Sequence, residues 1–316
     1  MPTICVIGGS RYFGKLLVRR LHAAGHRVTV VNRGSSPPPP GVEHLVADRD
    51  DAVALTTALG SRSFDVVVDQ VCYTPAQAAV AARVFGDRAR RYVMTSTIEV
   101  YDPATAAVPE IRRGVPVTEE SVDPGAWPVR MELPWRDEAF REAHYAEGKR
   151  QAEAVLARDG RLEFASVRSA HVLGGGAQEF TRRLAYYVER VVRGAEIPVH
   201  ADVLPTVFIE HRELADVLLW AATATDFTGP VNACSDGLLD VRELAGAIAA
   251  RTGREPVYRT VADGEEASPF SFDRYYAMSN ARATSLGFRF SRTTDWLPAA
   301  IAEALAQSVP ATLPAT

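Results

Sequence analysis

Short apolar runs, each ended by glycine or a polar cluster, recur through the first half of the chain and alternate with segments of helical spacing. TICVIGG (3–9) is apolar on both faces, as a strand covered by two layers must be. FGKLLVRRLHAAGH (13–26) then carries Phe13, Leu16, Leu17 and Leu21 at helical intervals and stops at Gly25. RVTVVNRG (27–34) predicts a second strand, followed by the stiff loop SSPPPPG. VEHLVADRDD and FDVVVDQV are two more strands with DAVALTTAL helical between them, and ARRYVMTST (89–97) and LEFASVRSA (162–170) complete the series. Helical spacing covers 75–85 and 137–158.

Strand and helix alternate in this way to about residue 170, which predicts an α/β, doubly wound parallel sheet with its ligands at the carboxyl ends of the strands. Beyond that point the rhythm changes to longer helices, with a strand at TVFIE and a short one at PVNACS. The expected organisation is a dinucleotide-binding domain over 1–170 and a smaller, mostly helical substrate-binding lobe over 171–316, interleaved with the sheet near 203–235. The terminal SVPATLPAT reads as a loose tail.

Composition narrows the function. At 316 residues, 47% hydrophobic and 23% charged, the chain can bury a full core. Its net charge of −4 argues against a protein whose main task is to hold nucleic acid. Cys5, Cys72 and Cys234 lie far apart, as buried thiols in a reducing compartment would. The histidines show no metal-ligand spacing, so no metal site is expected. No apolar run is long enough to span a membrane, and the expected address is the cytosol.

GGSRYFG (8–14) falls between the first strand and the first helix. Gly8 lets the chain turn, Gly14 lets helix and strand pack closely, and the helix amino terminus faces a pyrophosphate. The spacing is G-x-x-R-x-x-G, with Arg11 in the place of a middle glycine. The sheet is therefore expected to be of Rossmann type. Its second strand ends in Asn32-Arg33, without the carboxylate that would hold the ribose hydroxyls of NAD. Arg33, with Arg11, can pair with a 2′-phosphate, so NADP(H) is favoured and NAD(H) left open. Asp48, after the third strand, is placed to meet the adenine edge.

Of the 35 lysines and arginines only two are lysine, Lys15 and Lys149. Lys149 follows Tyr145 at i+4, so the two share a helix face. A phenol is a weak acid with a reference pKa of about 10, and a nearby ammonium favours its phenolate form. A third member is expected at the end of the preceding strand, where Thr95, Ser96 and Thr97 are candidates to bond the substrate oxygen.

VIGGSRYFG, VVNRG, VADRD, TSTIEVY, YAEGK, VRSAHVLG, FIEHRELA and SNARATSLGF, taken in order, resemble the extended short-chain dehydrogenase/reductase superfamily, the NAD-dependent epimerase/dehydratase family. The arginine form of the glycine turn is most similar to the branch of chloroplast stem-loop-binding proteins and bacterial relatives. The resemblance implies Thr97 as the catalytic hydroxyl with Ser96 as its understudy, Tyr145 as acid/base and Lys149 as its partner. It also implies Tyr12 and Phe13 against the pyrophosphate, Asn32 and Arg33 at the adenosine ribose, and Ser169 and Ala170 near the nicotinamide. Ser10, Arg49, Gln70 and Val71 complete the expected cofactor set.

Two departures bear on substrate. Thr206 stands where relatives acting on nucleotide sugars commonly have a diphosphate-gripping arginine, and His171 where they often have asparagine. Arg182 and Arg183 are the candidates to compensate. The stretch from Thr97 to Tyr145 is also long, and its 126–141 segment carries Trp127, Trp135, Arg130 and Arg136, which suits a lid over an aromatic or anionic substrate and equally a dimer contact or a surface excursion. The expected function is an NADP(H)-dependent oxidoreductase acting on a ketone or alcohol of a sugar-like or natural-product small molecule. A nucleotide-sugar epimerase or dehydratase is the alternative, and a non-catalytic RNA-binding or regulatory protein the second. A homodimer is compatible with all three.

Overall fold

The structure, a computed structural model, describes residues 1–108, 111–262 and 264–308; the SVPATLPAT tail lies outside them from 309 onward. The chain opens with β1 (Thr3–Ile7), α1 (Tyr12–Ala23), β2 (Arg27–Asn32), β3 (Glu43–Val46), α2 (Ala52–Leu59), β4 (Phe64–Asp69), α3 (Pro75–Phe85) and β5 (Ala89–Thr97). Local chemistry sets these helix starts. Asp51 accepts from the amides of Val53 and Ala54 to cap α2, and Thr74 caps α3 ahead of Pro75 in its first turn.

After β5 the chain makes a 3-10 turn at Ile98–Tyr101 and a long excursion before α4 (Glu138–Ala143), α5 (Tyr145–Asp159) and β6 (Glu163–Ser169). The helical spacing over 137–158 is thus realised as two helices broken at His144, whose φ of −116° and ψ of 30° leave the helical region. Its ring stacks on Phe140 at 4.0 Å and its Nδ1 lies 2.9 Å from the Phe140 carbonyl. Tyr145 therefore begins a helix instead of sitting within one.

The remaining elements are β7 (His171–Leu173), α6 (Arg183–Arg193), β8 (Glu196–Val199), β9 (Thr206–Glu210), α7 (His211–Thr223), β10 (Gly229–Ala233), β11 (Leu238–Leu239), α8 (Val241–Thr252), β12 (Val257–Thr260), α9 (Ala281–Ser285) and α10 (Thr293–Ser308). Seven strands form one sheet in the order β10-β6-β5-β4-β1-β2-β3. Every pairing in it is parallel. This is the Rossmann-type, doubly wound α/β sheet that the alternation predicts. Strand β10 reaches its edge from late in the sequence, and Pro230 is tolerated there because an edge strand can spare an amide.

Alternation within β1 feeds two cores. Ile4 and Val6 join the layer containing Leu17, Leu21 and Leu218 on one face. Cys5 and Ile7 join Leu55, Phe85 and Leu156 on the other. A third core gathers Leu173, Tyr187, Phe208, Phe270 and Ile301 beyond the carboxyl ends of the strands. The three-stranded β11-β9-β7 and two-stranded β12-β8 sheets belong to this later part of the chain.

One buried charged network ties the layers together. Arg168 on β6 is fully buried, and its guanidinium reaches Glu153 of α5 at 2.6 Å, the Tyr101 hydroxyl at 2.8 Å, and the carbonyls of Glu119 and Val122 at 3.0 and 2.8 Å. The Glu119 carboxylate in turn accepts from the Asn232 amide of β10. A buried carboxylate–guanidinium pair adds little net stability over apolar packing, but losing one partner strands the other charge. Glu153→Ala is therefore expected to cost about 3–5 kcal/mol, read from urea unfolding. A loss below about 1 kcal/mol, the scale of an exposed ion pair, would mean that water relieves Arg168.

Candidate functional site

A cleft of 740 Å³ opens at the carboxyl ends of β1, β2 and β4. Its floor is the glycine turn. Gly8 and Gly9 have φ of +95° and +76°, conformations that side chains resist. A Cβ on Gly14 would fall 2.0 Å from the Gln70 Oε1, and one on Gly9 would lie 2.8 Å from Val18 and 2.9 Å from Val6. Gly9, to which the sequence pattern assigns no part, is thus the glycine that lets α1 close on β1. Tyr12 is also held in the left-handed region, at φ +48°. Its hydroxyl donates to the Gly174 carbonyl at 2.9 Å and its ring lies parallel to His211 at 5.4 Å, contacts that hold the strained residue in place.

Twelve of the residues expected around the cofactor line this single cleft: Gly8, Ser10, Arg11, Tyr12, Phe13, Asn32, Arg33, Asp48, Arg49, Gln70, Val71 and Tyr145. Asn32 organises its far end. Its amide donates to the Ser10 hydroxyl at 2.6 Å, and its carbonyl oxygen accepts from the Gly34 amide at 2.7 Å. Arg33 is exposed, and Arg11 bonds only Ser36 within the described residues, at 3.4 Å. Arg49 is buried and pairs with Asp69 at 2.5 Å, so it braces the wall while its Nε keeps no partner among the described residues. Gln70 Nε2 is likewise unpartnered among them. A cradle that a Cβ would fill, unspent donors and free arginines fit the anionic backbone of a dinucleotide.

Ser96, Thr97, Lys149, Ser169 and Ala170 lie off the wall of this cleft, at the ends of the central strands and on α5. Thr97 and Ser169 are paired across β5 and β6, and the Ser169 hydroxyl donates to the Ala170 carbonyl. Ser96 Oγ is buried without a partner among the described residues. Tyr145 stands at the cleft's edge with 37% of its surface exposed. Burial nonetheless pushes its phenol up, Tyr73 and Glu99 push it further, and a hydrogen bond with Thr97 pulls it down.

Lys149 is buried to 2% and donates to the Thr95 carbonyl at 2.8 Å. Its Nζ lies over the Tyr73 ring at 4.6 Å and 5.9 Å from the Tyr145 ring centre. Desolvation lowers its pKa to about 8. The ammonium thus ties α5 to β5. In the protein alone, burial dominates the Tyr145 phenol.

On the far side of Tyr145, His171 sits in a box of Phe208, Phe270, Phe272 and Tyr276. Desolvation lowers its pKa to about 3, so the ring is neutral. The Thr206 hydroxyl is spent on the Tyr276 carbonyl at 2.6 Å. The Glu99 carboxylate accepts from the Tyr276 hydroxyl at 2.8 Å, and burial raises its pKa. Arg182 turns to Glu189, whereas Arg183 makes no ion pair among the described residues and lies over Phe270, within electrostatic reach of Tyr145 and Glu99.

Trp127 and Trp135 do not face this space. Trp135 is buried and its indole donates to the Arg130 carbonyl at 2.8 Å; Trp127 donates to Glu147 of α5 at 3.2 Å. The 126–141 residues on the cleft wall are Arg136, Glu138 and Arg141, joined by Glu142 of the same helix. Among the described residues no group of three or more metal-ligating side chains converges, and no helix is long and apolar enough to cross a membrane. The three cysteines are buried and unpaired.

The same sheet and lobe occur in solved structures. UDP-glucose 4-epimerase of Thermus thermophilus, in complex with NAD, matches with a TM-score of 0.69 at 18% identity over 96% of this chain and 98% of that one. UDP-glucose 4-epimerase of Thermotoga maritima, with UDP-glucose, gives 0.72 at 17% identity over 96% and 99%. At those identities the likeness speaks for the fold. In sequence, the model of the NAD dependent epimerase/dehydratase family matches residues 4–120. A curated relative, 2′-dehydrokanamycin reductase of Streptomyces kanamyceticus, is 34% identical over 137 residues, 42% of this chain. That match spans 39% of the reductase's length.

The buried amine supplies a stability test. Burial penalises the ammonium, so the penalty is complete below the folded pKa of about 8 and vanishes above the unfolded value of 10.5. Lys149→Met removes that penalty and also the bond to the Thr95 carbonyl. It should raise stability at neutral pH by roughly 1–2 kcal/mol net, a gain that shrinks as pH rises through this window. Melting temperatures of both proteins at neutral and alkaline pH decide it; a pH-independent difference would show that Lys149 is not desolvated.

Proposed function

We propose that the protein is an NAD(P)(H)-dependent oxidoreductase that interconverts a ketone and an alcohol on a polar small molecule. The carrying observation is Tyr145 at the edge of the glycine-floored cleft, hydrogen-bonded to Thr97, with Lys149 packed beneath it. When bound, the dinucleotide supplies the hydride. Tyr145 exchanges a proton with the substrate oxygen at its Oη, and Thr97 Oγ1 holds that oxygen and steadies its developing charge. Lys149 ties α5 to the Thr95 carbonyl of β5, and in this reading its remaining donors turn to the ribose hydroxyls when the dinucleotide binds. Ser169 and Ala170, at the end of β6, border the reacting end.

A reductase is favoured over a nucleotide-sugar epimerase. The relative at 34% identity is named as a reductase, and the UDP-glucose 4-epimerases resemble this chain in fold. Thr206 offers no cation and is already bonded. Among the described residues Arg183 makes no ion pair on the substrate side, whereas Arg274, over Phe272 and Tyr276, is paired with Asp102; one unpaired cation suits one anionic group better than the paired grip of a diphosphate. The ketone of an aminoglycoside-like ring is the substrate class that the reductase relative suggests. In organisation, residues 1–170 would supply the nucleotide site and 171–316, interleaved at β9 and β10, the substrate side.

Tyr145→Phe is expected to abolish turnover while leaving dinucleotide affinity within a few-fold, because it removes one proton-bearing oxygen and little else. Steady-state kinetics with calorimetric titration of the cofactor read both quantities, and turnover near that of the parent protein would remove Tyr145 from the acid/base role.

The cofactor reading rests on Asn32 and Arg33. Asn32 carries no charge to repel a 2′-phosphate, and its side chain is committed to Ser10 and Gly34. NADP(H) is accordingly favoured, with Arg33 as the 2′-phosphate partner and Arg11 beside it. Arg33→Ala should weaken NADPH by about 1.5–3 kcal/mol, the value of a charge-assisted bond, and NADH much less. Equal losses for the two cofactors would assign Arg33 to some other part of the dinucleotide.

A further inference from the structure

The segment between Thr97 and α5 is fastened along α5 at several points. The Arg158 side chain holds the Gly125 carbonyl at 3.0 Å, the Gln151 side chain accepts from the Arg130 amide at 2.7 Å, and Trp127 bonds Glu147. Trp135 packs over Gly148, where a Cβ would already lie 3.4 Å from the indole. The chain then turns at Asp137, which caps α4 through the Phe140 amide at 2.7 Å.

Helix α4 itself contrasts with these anchors. It is six residues long and has no buried residue. Phe140 grips it, edge-on to Trp135 at 5.3 Å and stacked on His144. It nevertheless forms a wall of the same cleft as the glycine turn, through Arg136, Glu138, Arg141 and Glu142. Arg141 reaches Asp50, after β3 on the opposite wall, at 3.9 Å. Asp50 is held in place by Gln77, whose amide donates to it at 2.8 Å. Arg136 is exposed and makes no ion pair among the described residues.

We infer that this segment is a strap for the cofactor, not a lid for the substrate: α4 closes the cleft over an anionic dinucleotide, and Arg136 and Arg141 are binding residues for it. The inference rests on the cofactor reading above and adds residues outside the glycine turn and β2. Glu138 and Glu142 share the wall, so without the two arginines it would repel a polyanion; with them the four charges on the wall balance. The 3.9 Å pair with Asp50 is long for a charge-assisted bond, so Arg141 gives up little when it turns to a phosphate. Fixed ends with an unburied middle let α4 move at small cost in packing.

The test uses the full chain and two probes, NADH and NADPH, titrated calorimetrically into the parent protein, Arg136→Ala, Arg141→Ala and the double variant. Each single change should weaken both cofactors by about fivefold or more, and the double change by more than about tenfold, the range for losing exposed to partly buried charge-assisted bonds. Hydrogen exchange on the unaltered protein gives an independent reading: amides of 138–143 should gain protection when cofactor saturates. Unchanged affinities in the double variant, or exchange at 138–143 indifferent to cofactor, would overturn the strap. If the parent protein binds neither dinucleotide, the cofactor reading itself falls.

Discussion

The position of α5 depends on fully buried guanidinium groups. Arg168 from β6 has all its donors satisfied by Glu153, Tyr101 and two carbonyls of the segment after β5. Arg150, on α5 itself, does the same in reverse: its Nε donates to the Val100 carbonyl at 2.7 Å and its other nitrogens reach Glu147, Asp102 and Thr105. Such groups gain little net free energy over apolar packing, but they tolerate only one arrangement. A slip of α5 by one residue would take its carboxylate partner, Glu153, from Arg168 and carry Arg150 away from the carbonyls it holds. Tyr145 and Lys149 inherit that precision, since both ride on the helix so fixed, and Thr97 shares it through the strand end that Arg150 grips just downstream.

The same chemistry explains a lysine in a chain that otherwise spends arginine. Arg49, Arg150 and Arg168 work as struts because each finds several acceptors in a fixed fork. Beneath Tyr145 the hydrogen bond found for the cation is to one carbonyl, that of Thr95. A guanidinium there would keep its charge and leave most of its donors unpaired. An ammonium fits over the Tyr73 ring, and burial can pull its pKa toward neutrality, which arginine does not allow.

The sheet was legible because buried parallel strands are long apolar runs and the helices between them keep their spacing. The glycine turn, Asn32-Arg33 and Tyr145/Lys149 stand at junctions of those elements, so their neighbourhood could be read as well. What escaped the pattern was direction and interruption. Helical spacing runs on through His144, and only the stacking of that ring on Phe140 shows the break that puts Tyr145 at a helix start. Strands of two to four residues, such as β7, β8, β11 and β12, are too short to carry a period. Tryptophans in an insertion suggest a contact face, yet Trp127 and Trp135 turn inward to α5 and leave the cleft to the arginines and glutamates around α4. Gly9 looked redundant beside Gly8 until the closeness of Val6 and Val18 gave it a purpose.

Burial drives most titratable groups around Tyr145 toward their neutral forms. The phenol of Tyr145 and the carboxyl of Glu99 are pushed up, while Lys149 is pulled down to about 8 and His171 to about 3. Desolvation is the largest cause in every case, which is the behaviour of a site with few mobile charges of its own. In such surroundings a charge brought in by a ligand is weakly screened, and its field acts on Tyr145 and Lys149 more strongly than it would in water. The two tendencies then oppose each other usefully. Burial keeps Tyr145 protonated in the protein alone, the form that the proposed proton transfer to a carbonyl oxygen requires. Positive charge arriving beside it favours phenolate and so the reverse transfer. In the proposed reaction, what occupies the site would then set the direction of proton movement, while the hydrogen bond with Thr97 favours the phenolate.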